Sequence, residues 1–242
     1  MNLVKQHSTI VDTINAERIL TKLEKIGRLC YKSEGRIAPG SYTEFLRQKI
    51  DLGHESIIEH ESFTVHFITD RGVTHELVRH RLASYTQEST RYCNYSNDEK
   101  FSDGITFIDP TLSIELCSKT NTLSQGCKSR LIRHMKEQFS KAEDVYNAMI
   151  KTGASAQIAR GVLPTDVKAE IYMTANLREW RHFFKMRATK PAHPKMKELV
   201  LPLLFHLKQV LPIVFDDIIA DPDAVNILYL SEDGREEITE QE

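Results

Sequence analysis

The chain has 242 residues, 40% of them hydrophobic and 27% charged, and a formal net charge of −2. That length and balance suit one substantial domain over residues 1–242 and exclude a disordered or low-complexity protein. The near-neutral charge gives no case for nucleic acid or an anionic membrane as the main partner, so any anion site has to be a local cluster.

In chain order, the amino terminus reads MNLVKQHSTIVDTINAERIL, with no apolar h-region and no small-residue cleavage site, so no secretory signal is expected. Residues 12–30 place Ile19, Leu23, Ile26 and Cys30 on one helical stripe. Ser41-Tyr-Thr-Glu44 has capping-box spacing for a second helix, with Gly53 as its stop. Residues 61–69 alternate Phe63, Val65 and Phe67 against Ser62, Thr64 and His66, which predicts a strand with one buried face. Asp70 then reads as the N-cap of a helix through Arg81. A short strand is expected at 105–108, and 110–124 is polar without a clear period. The longest helix is predicted over 125–151, with Leu131, Met135, Phe139, Ala142, Tyr146 and Met149 on one side and Gly153 as its end. A strand follows at 167–173, and Asn176-Leu-Arg-Glu179 opens a helix to Arg187 with Phe183, Phe184 and Met186 available to the core. His193-Pro194 opens a final helix that Pro202 should kink or interrupt. The run 199–219 is too broken by prolines and by His206, Lys208, Asp216 and Asp217 to span a bilayer, and the tail from about 231 is acidic and expected to be loose. Several helices with a few non-consecutive strands predict an α+β class. Cys30, Cys93, Cys117 and Cys127 form no CxxC pair and are expected to be reduced thiols in a cytoplasmic protein.

Four clusters could carry chemistry. Arg79-His80-Arg81, with Ser84, Ser89 and Arg91, concentrates guanidiniums and hydroxyls, and the planar arginine fork suits phosphate. Taken alone, a solvated basic helix end explains it about as well. His54 and His60 bracket an acidic segment, but a spacing of six points them in different directions on a helix, so a catalytic metal is not expected and a metal-dependent hydrolase is only the alternative. Arg160 beside Leu163-Pro164 is by itself an ordinary surface arginine. Arg178, His182 and Lys185 share one side of a helix, which alone is an amphipathic helix with a basic face.

The string Arg79-His-Arg-Leu-Ala-Ser84-Tyr-Thr-Gln-Glu-Ser89-Thr-Arg91 resembles the signature of flavin-dependent thymidylate synthases: RHR, seven residues, then serine, with a serine inside the gap and an arginine two positions after. Gly53-His-Glu-Ser56 is similar to that family's GHxS segment, Arg160-x-x-Leu163-Pro164 to its RxxLP turn, and Asn176-x-Arg178 with His182 and Arg187 to its last block. These blocks run in the family's order from about Cys30 to Arg187. The resemblance implies an α/β fold with a central, mostly antiparallel sheet flanked by helices. It also implies a homotetramer whose active sites are shared between subunits, and FAD as cofactor. The implied substrates are dUMP, methylenetetrahydrofolate and NADPH, with neither nucleic acid nor membrane as partner. It assigns flavin contacts to Ser56, Arg79, His80, Arg81, Gln87, Asn176, Arg178 and His182, with His54 beside them. It assigns deoxyuridylate contacts to Glu76, Arg79, Gln87, Glu88, Ser89, Thr90, Arg91, Arg160 and Arg187. Arg187 is the expected catalytic residue, since a cation at N3 and O2 of uracil would stabilise negative charge in the ring and make C5 nucleophilic. Two departures stand out: Glu76 occupies a place where the family commonly has glutamine, and Thr86-Gln87 replaces a frequent Asn-Glu pair. The alternative of another class is an arginine-rich nucleic-acid-binding module built on 79–91, which the net charge disfavours.

Overall fold

The alternation of Phe63, Val65 and Phe67 becomes the central strand of the protein, which we describe from a computed structural model over residues 1–96 and 104–229. The acidic tail from 231 lies outside the described residues. The first strands are β1 (Asn2–Val4) and β2 (His7–Ile10), followed by α1 (Ala16–Leu29) and α2 (Tyr42–Asp51). A 3₁₀ turn at Glu55–His60 leads into β3 (Ser62–Asp70), α3 (Arg71–Leu77) and β4 (Ala83–Gln87). Next come β5 (Thr106–Ile108), α4 (Thr111–Leu116), α5 (Gln125–Lys151), α6 (Ala156–Ala159) and β6 (Lys168–Asn176). The chain then runs through α7 (Leu177–Arg187), α8 (Pro194–Val210), α9 (Pro212–Phe215) and α10 (Pro222–Tyr229).

Four strands pair antiparallel in the order β2-β3-β6-β4, and β1 pairs parallel with β5 beside them. The expected antiparallel central sheet with flanking helices is therefore the architecture. One sheet face carries Phe63, Val65, Phe67, Ile171 and Met173, all buried against α1, α2 and the helices from α7 to α9. The other face is polar and partly open: Thr64 and Thr174 share a hydrogen bond at 2.9 Å, and His66 stacks on Tyr172 at 4.4 Å. A second apolar cluster forms where Phe107 stacks on Phe139 of α5 at 4.6 Å, with Tyr146, Ala159 and Val167 around them.

Helix α7 positions the site, and its sequence explains how. Asn176 caps it, its Oδ1 accepting from the Glu179 N–H at 2.9 Å. Leu177, Trp180, Phe183 and Phe184 are buried. Trp180 lies flat on Phe63 at 4.9 Å and donates to the Phe63 carbonyl at 3.2 Å. Burial of those four side chains is worth roughly 1.5–3 kcal/mol each, which fixes the opposite face, carrying Arg178, His182 and Lys185, towards solvent.

Several expectations are corrected. Ser41 makes no capping box: its backbone is already helical, and its hydroxyl donates to the buried carboxylate of Glu24 at 2.7 Å. In α1 the buried stripe is Ile19, Leu20 and Leu23, while Cys30 is exposed. In α5, Leu131 is exposed, and in α7, Met186 faces solvent. Helix α3 stops at Leu77 instead of Arg81. The polar segment after Ser84 is partly strand β4, and 111–116 is helical. Strand β6 extends to Asn176, beyond the expected 167–173. Pro202 does not interrupt α8: its ring lies on the exposed side while Leu199, Val200, Leu201, Leu203 and Leu204 are packed in the core. Nor is α8 the last helix, since α9 and α10 follow it. Gly53 and Gly153 do end α2 and α5, both at positive φ (73° and 103°), where a side chain would be strained. None of the helices is long and apolar enough to cross a membrane among the described residues.

Candidate active site

The end of α3, the start of β4 and the end of α7 meet around one buried imidazole. The His80 ring is 95% buried, with Phe183 edge-on at 5.0 Å and the exposed His182 ring at 5.7 Å. Tyr85 pins the turn that carries it, its hydroxyl donating to the carbonyls of Leu77 (2.7 Å) and His80 (2.8 Å). Arg187, at the last position of α7, donates from Nε to His80 Nε2 at 3.1 Å. Its two outer nitrogens donate to Glu76, Nη1 to the carboxylate at 2.9 Å and Nη2 to the backbone carbonyl at 3.2 Å.

The electrostatics follow from that packing. Desolvation, then the charges of Arg187 and His182, lower the His80 pKa to about 4, so the ring is neutral at ordinary pH. A neutral ring that accepts at Nε2 from Arg187 carries its proton on Nδ1. Nδ1 has no full hydrogen bond; the nearest carboxylate oxygen, Glu179 Oε1, is 3.5 Å away. Glu179 is itself buried, which raises its pKa. His80, Glu179 and His182 form the one group of metal-type ligand atoms close enough for an ion among the described residues. A proton on Nδ1 closes that position to a metal while Arg187 holds Nε2. His54 and His60 are not in the group: His54 Nδ1 shares a hydrogen bond with the Tyr31 hydroxyl at 3.1 Å.

The expected contact residues separate into two places. Ser56, Arg178 and His182 are exposed, as are Arg79 and Arg81. Asn176 lies at the start of the same helix, and Arg178 pairs with Glu59. The other place starts at the end of β4. Gln87 donates to Thr74 at 2.9 Å, and Glu88 accepts from the Tyr95 hydroxyl at 2.8 Å, both of these being contacts within the protein. Ser89 accepts from the Arg91 N–H at 3.3 Å. Thr90 is buried and accepts from Arg160 at 3.2 Å, while Arg91 Nε donates to Gln157 at 2.9 Å. Along the chain the two groups lie on either side of most of β4, and Gln87 at its end reaches back to Thr74 of α3. The structure thus joins Arg187, Glu76 and His80, and joins Arg160 to Thr90 beside Arg91.

Sequence reasoning missed Glu179 and Tyr85 as parts of the site. The capping-box spacing flagged Glu179, but for its backbone: its carboxylate turns to His80 instead. Tyr85 carried no signal, since its partners are backbone carbonyls.

The family model of the thymidylate synthase complementing protein matches residues 9–213. The flavin-dependent thymidylate synthase of Mycobacteroides abscessus is 34% identical over 199 residues, covering 81% of this chain and 78% of that protein. The enzyme of the same name from Mycobacterium tuberculosis H37Rv is 34% identical over 204 residues, with the same coverage. The crystal structure of a UMP/dUMP methylase, PolB, from Streptomyces cacaoi bound with 5-Br dUMP matches with a TM-score of 0.73 at 22% identity, over 89% of this chain and 96% of that one, a likeness of fold. The signature at 79–91, the matched span and these relatives together place the chain in the flavin-dependent thymidylate synthase family.

Proposed function

We infer that the protein is a flavin-dependent thymidylate synthase that methylates dUMP to dTMP, with FAD as its flavin, methylenetetrahydrofolate as carbon donor and NADPH as reductant. It works as one cytoplasmic domain within a homotetramer, with each active site completed by other subunits. The observation that carries this reading is the Arg187 guanidinium, held by neutral His80 behind it while both outer nitrogens face the oxygens of Glu76. A fork that donates to a carboxylate and a carbonyl oxygen can donate to O2 of a uracil ring and stabilise the negative charge that N3 gains on losing its proton.

The donor set fits a phosphate-bearing flavin. Arg79, Arg81 and Arg178 offer exposed guanidiniums, with His182, Ser56, Asn176 and the buried His80 beside them. Gln87 would serve both ligands. When bound and reduced, the flavin supplies the hydride and mediates one-carbon transfer. The chain's own residues bind and orient. Arg79, Ser89, Arg91 and Arg160, with the 87–90 backbone, take the deoxyuridylate, and Arg187 stabilises negative charge at N3 and O2 so that C5 can act as nucleophile. For that, Arg187 has to exchange Glu76 for the base. The exposure of Arg79, Arg81 and Arg178 on the surface of one chain supports a site completed by neighbouring chains.

The visible spectrum of the purified protein, taken before and after addition of dUMP, tests this. An oxidised-flavin spectrum that shifts with dUMP is expected. A colourless protein that takes up no added FAD would overturn it.

A further inference from the structure

A cavity of about 680 Å³ opens between the end of α1, the 30–41 loop and α2, lined by none of the residues assigned above. Its wall carries four cations, Arg28, Lys32, Arg36 and Lys49, against one carboxylate, Glu44. Arg28 is already committed, paired with Glu24 at 2.7 Å. Lys49 is not. Only 9% of it is exposed, its Nζ sits 4.1 Å over the Tyr31 ring and 5.4 Å from the Phe45 centroid, and among the described residues no carboxylate comes within ion-pair reach of it. Burying an ammonium without a counter-ion is costly, and ring faces offset only part of that cost. Lys32 and Arg36 stand exposed at the rim, also without ion-pair partners. The volume is that of a small-molecule site, well above what an inorganic anion fills. Tyr31, in the wall, reaches His54 at 3.1 Å, so the cavity adjoins the Gly53–Ser56 segment.

We propose that this cavity binds the anionic end of a co-substrate, with Lys49, Lys32 and Arg36 as partners of its carboxylate or phosphate groups. The proposal rests on the function inferred above, whose reaction uses two such molecules: a folate with a glutamate tail and a phosphorylated pyridine nucleotide. Both present anions on a flexible extension, the chemistry that this wall recognises.

The test uses the full-length flavin-bound protein, titrated calorimetrically with folinate and, separately, with NADP⁺, in the wild type, Lys49→Met and the surface double variant Lys32→Gln/Arg36→Gln. Both variants should weaken one of the two ligands by about tenfold, the scale of a lost charge-assisted contact, with flavin content and dUMP affinity unchanged. Weakened folinate binding, with the gain from a tetraglutamate tail lost, assigns the cavity to the folate. Weakened NADP⁺ binding with the preference over NAD⁺ lost assigns it to the nucleotide. If Lys49→Met fails to fold, the double variant decides alone. Unchanged affinity for both ligands overturns the proposal, as does loss of flavin from the double variant. A wild-type protein that binds neither flavin nor dUMP defeats the inferred function instead, and the same two titrations then test the cavity independently.

Discussion

Arg187 donates its Nε–H to Nε2 of His80 at 3.1 Å, across 107 residues of sequence. Only a neutral imidazole can accept there, and burial together with the Arg187 charge keeps the ring neutral. The hydrogen bond fixes one edge of the guanidinium and leaves the opposite edge, the two outer nitrogens, for a planar acceptor. A residue held in this way orients its charge before substrate arrives, which is what electrostatic stabilisation of a developing anion requires.

Replacing Arg187 by alanine should therefore leave flavin bound and lower dTMP formation by about 10²–10³-fold, the usual loss when a preorganised donor is removed. Arg187→Lys should rescue little, because an ammonium cannot reproduce a two-nitrogen fork that is also anchored from behind. Flavin absorbance and dTMP yield measured on the same preparations check this. Unchanged turnover in Arg187→Ala would remove its catalytic role.

His80 should leave a mark on the pH dependence of stability. Its folded pKa, about 4, lies below the ordinary histidine value of 6.5. Between those values the unfolded chain binds a proton that the folded chain refuses, so stability falls as the pH drops from about 6.5 towards about 4 and is unaffected by this group above that window. The effect should be about 3 kcal/mol for a shift of this size. His80→Asn cannot titrate, so the gap in melting temperature between wild type and variant should shrink over that range. A gap that stays constant from pH 7 to pH 4 would mean that the ring is not held neutral.

The elements legible in sequence were those whose pattern is local. β3 alternates strictly, α5 keeps its period from Gln125 to Lys151, and Asn176 caps α7 from three residues away. Where a distant group competes, local reading failed: Ser41 has capping-box spacing, yet its hydroxyl is taken by Glu24 on the neighbouring helix. β4 was missed because it is an edge strand with no strong apolar alternation, its pairing supplied by β6. In the candidate site the residue types were visible in the 79–91 signature, but the pairing of Glu76 with Arg187 across 111 residues was not.

That pairing bears on Glu76, which stands where the family commonly has glutamine. In this chain its carboxylate holds the Arg187 fork inferred above to bind the uracil ring. Glu76→Gln should free Arg187 and tighten dUMP binding by about fivefold, the scale of a partly exposed ion pair. Direct titration of dUMP into the flavin-bound protein decides between this and the role expected from resemblance: weaker binding in the variant would make Glu76 a substrate contact instead of a counter-ion.

Glu198 should act on stability in the opposite direction to His80. It lies buried in α8 beside the Lys195–Asp70 ion pair (2.6 Å), with Oε2 lacking any hydrogen-bond partner. Burial pushes its pKa up to about 7, against the pull of Gln6 and the Lys195 charge. From about pH 4.5 to 7 the folded chain keeps a proton that the unfolded chain has released, so stability declines as the pH rises through that window. Glu198→Gln is neutral and nearly isosteric. It should match wild type near pH 5 and exceed it at pH 8 by about 3 kcal/mol, roughly 10 °C in melting temperature for a chain of this size. A variant less stable than wild type at pH 8 would show that the ionised carboxylate is used, and that Lys195 rather than burial governs its charge.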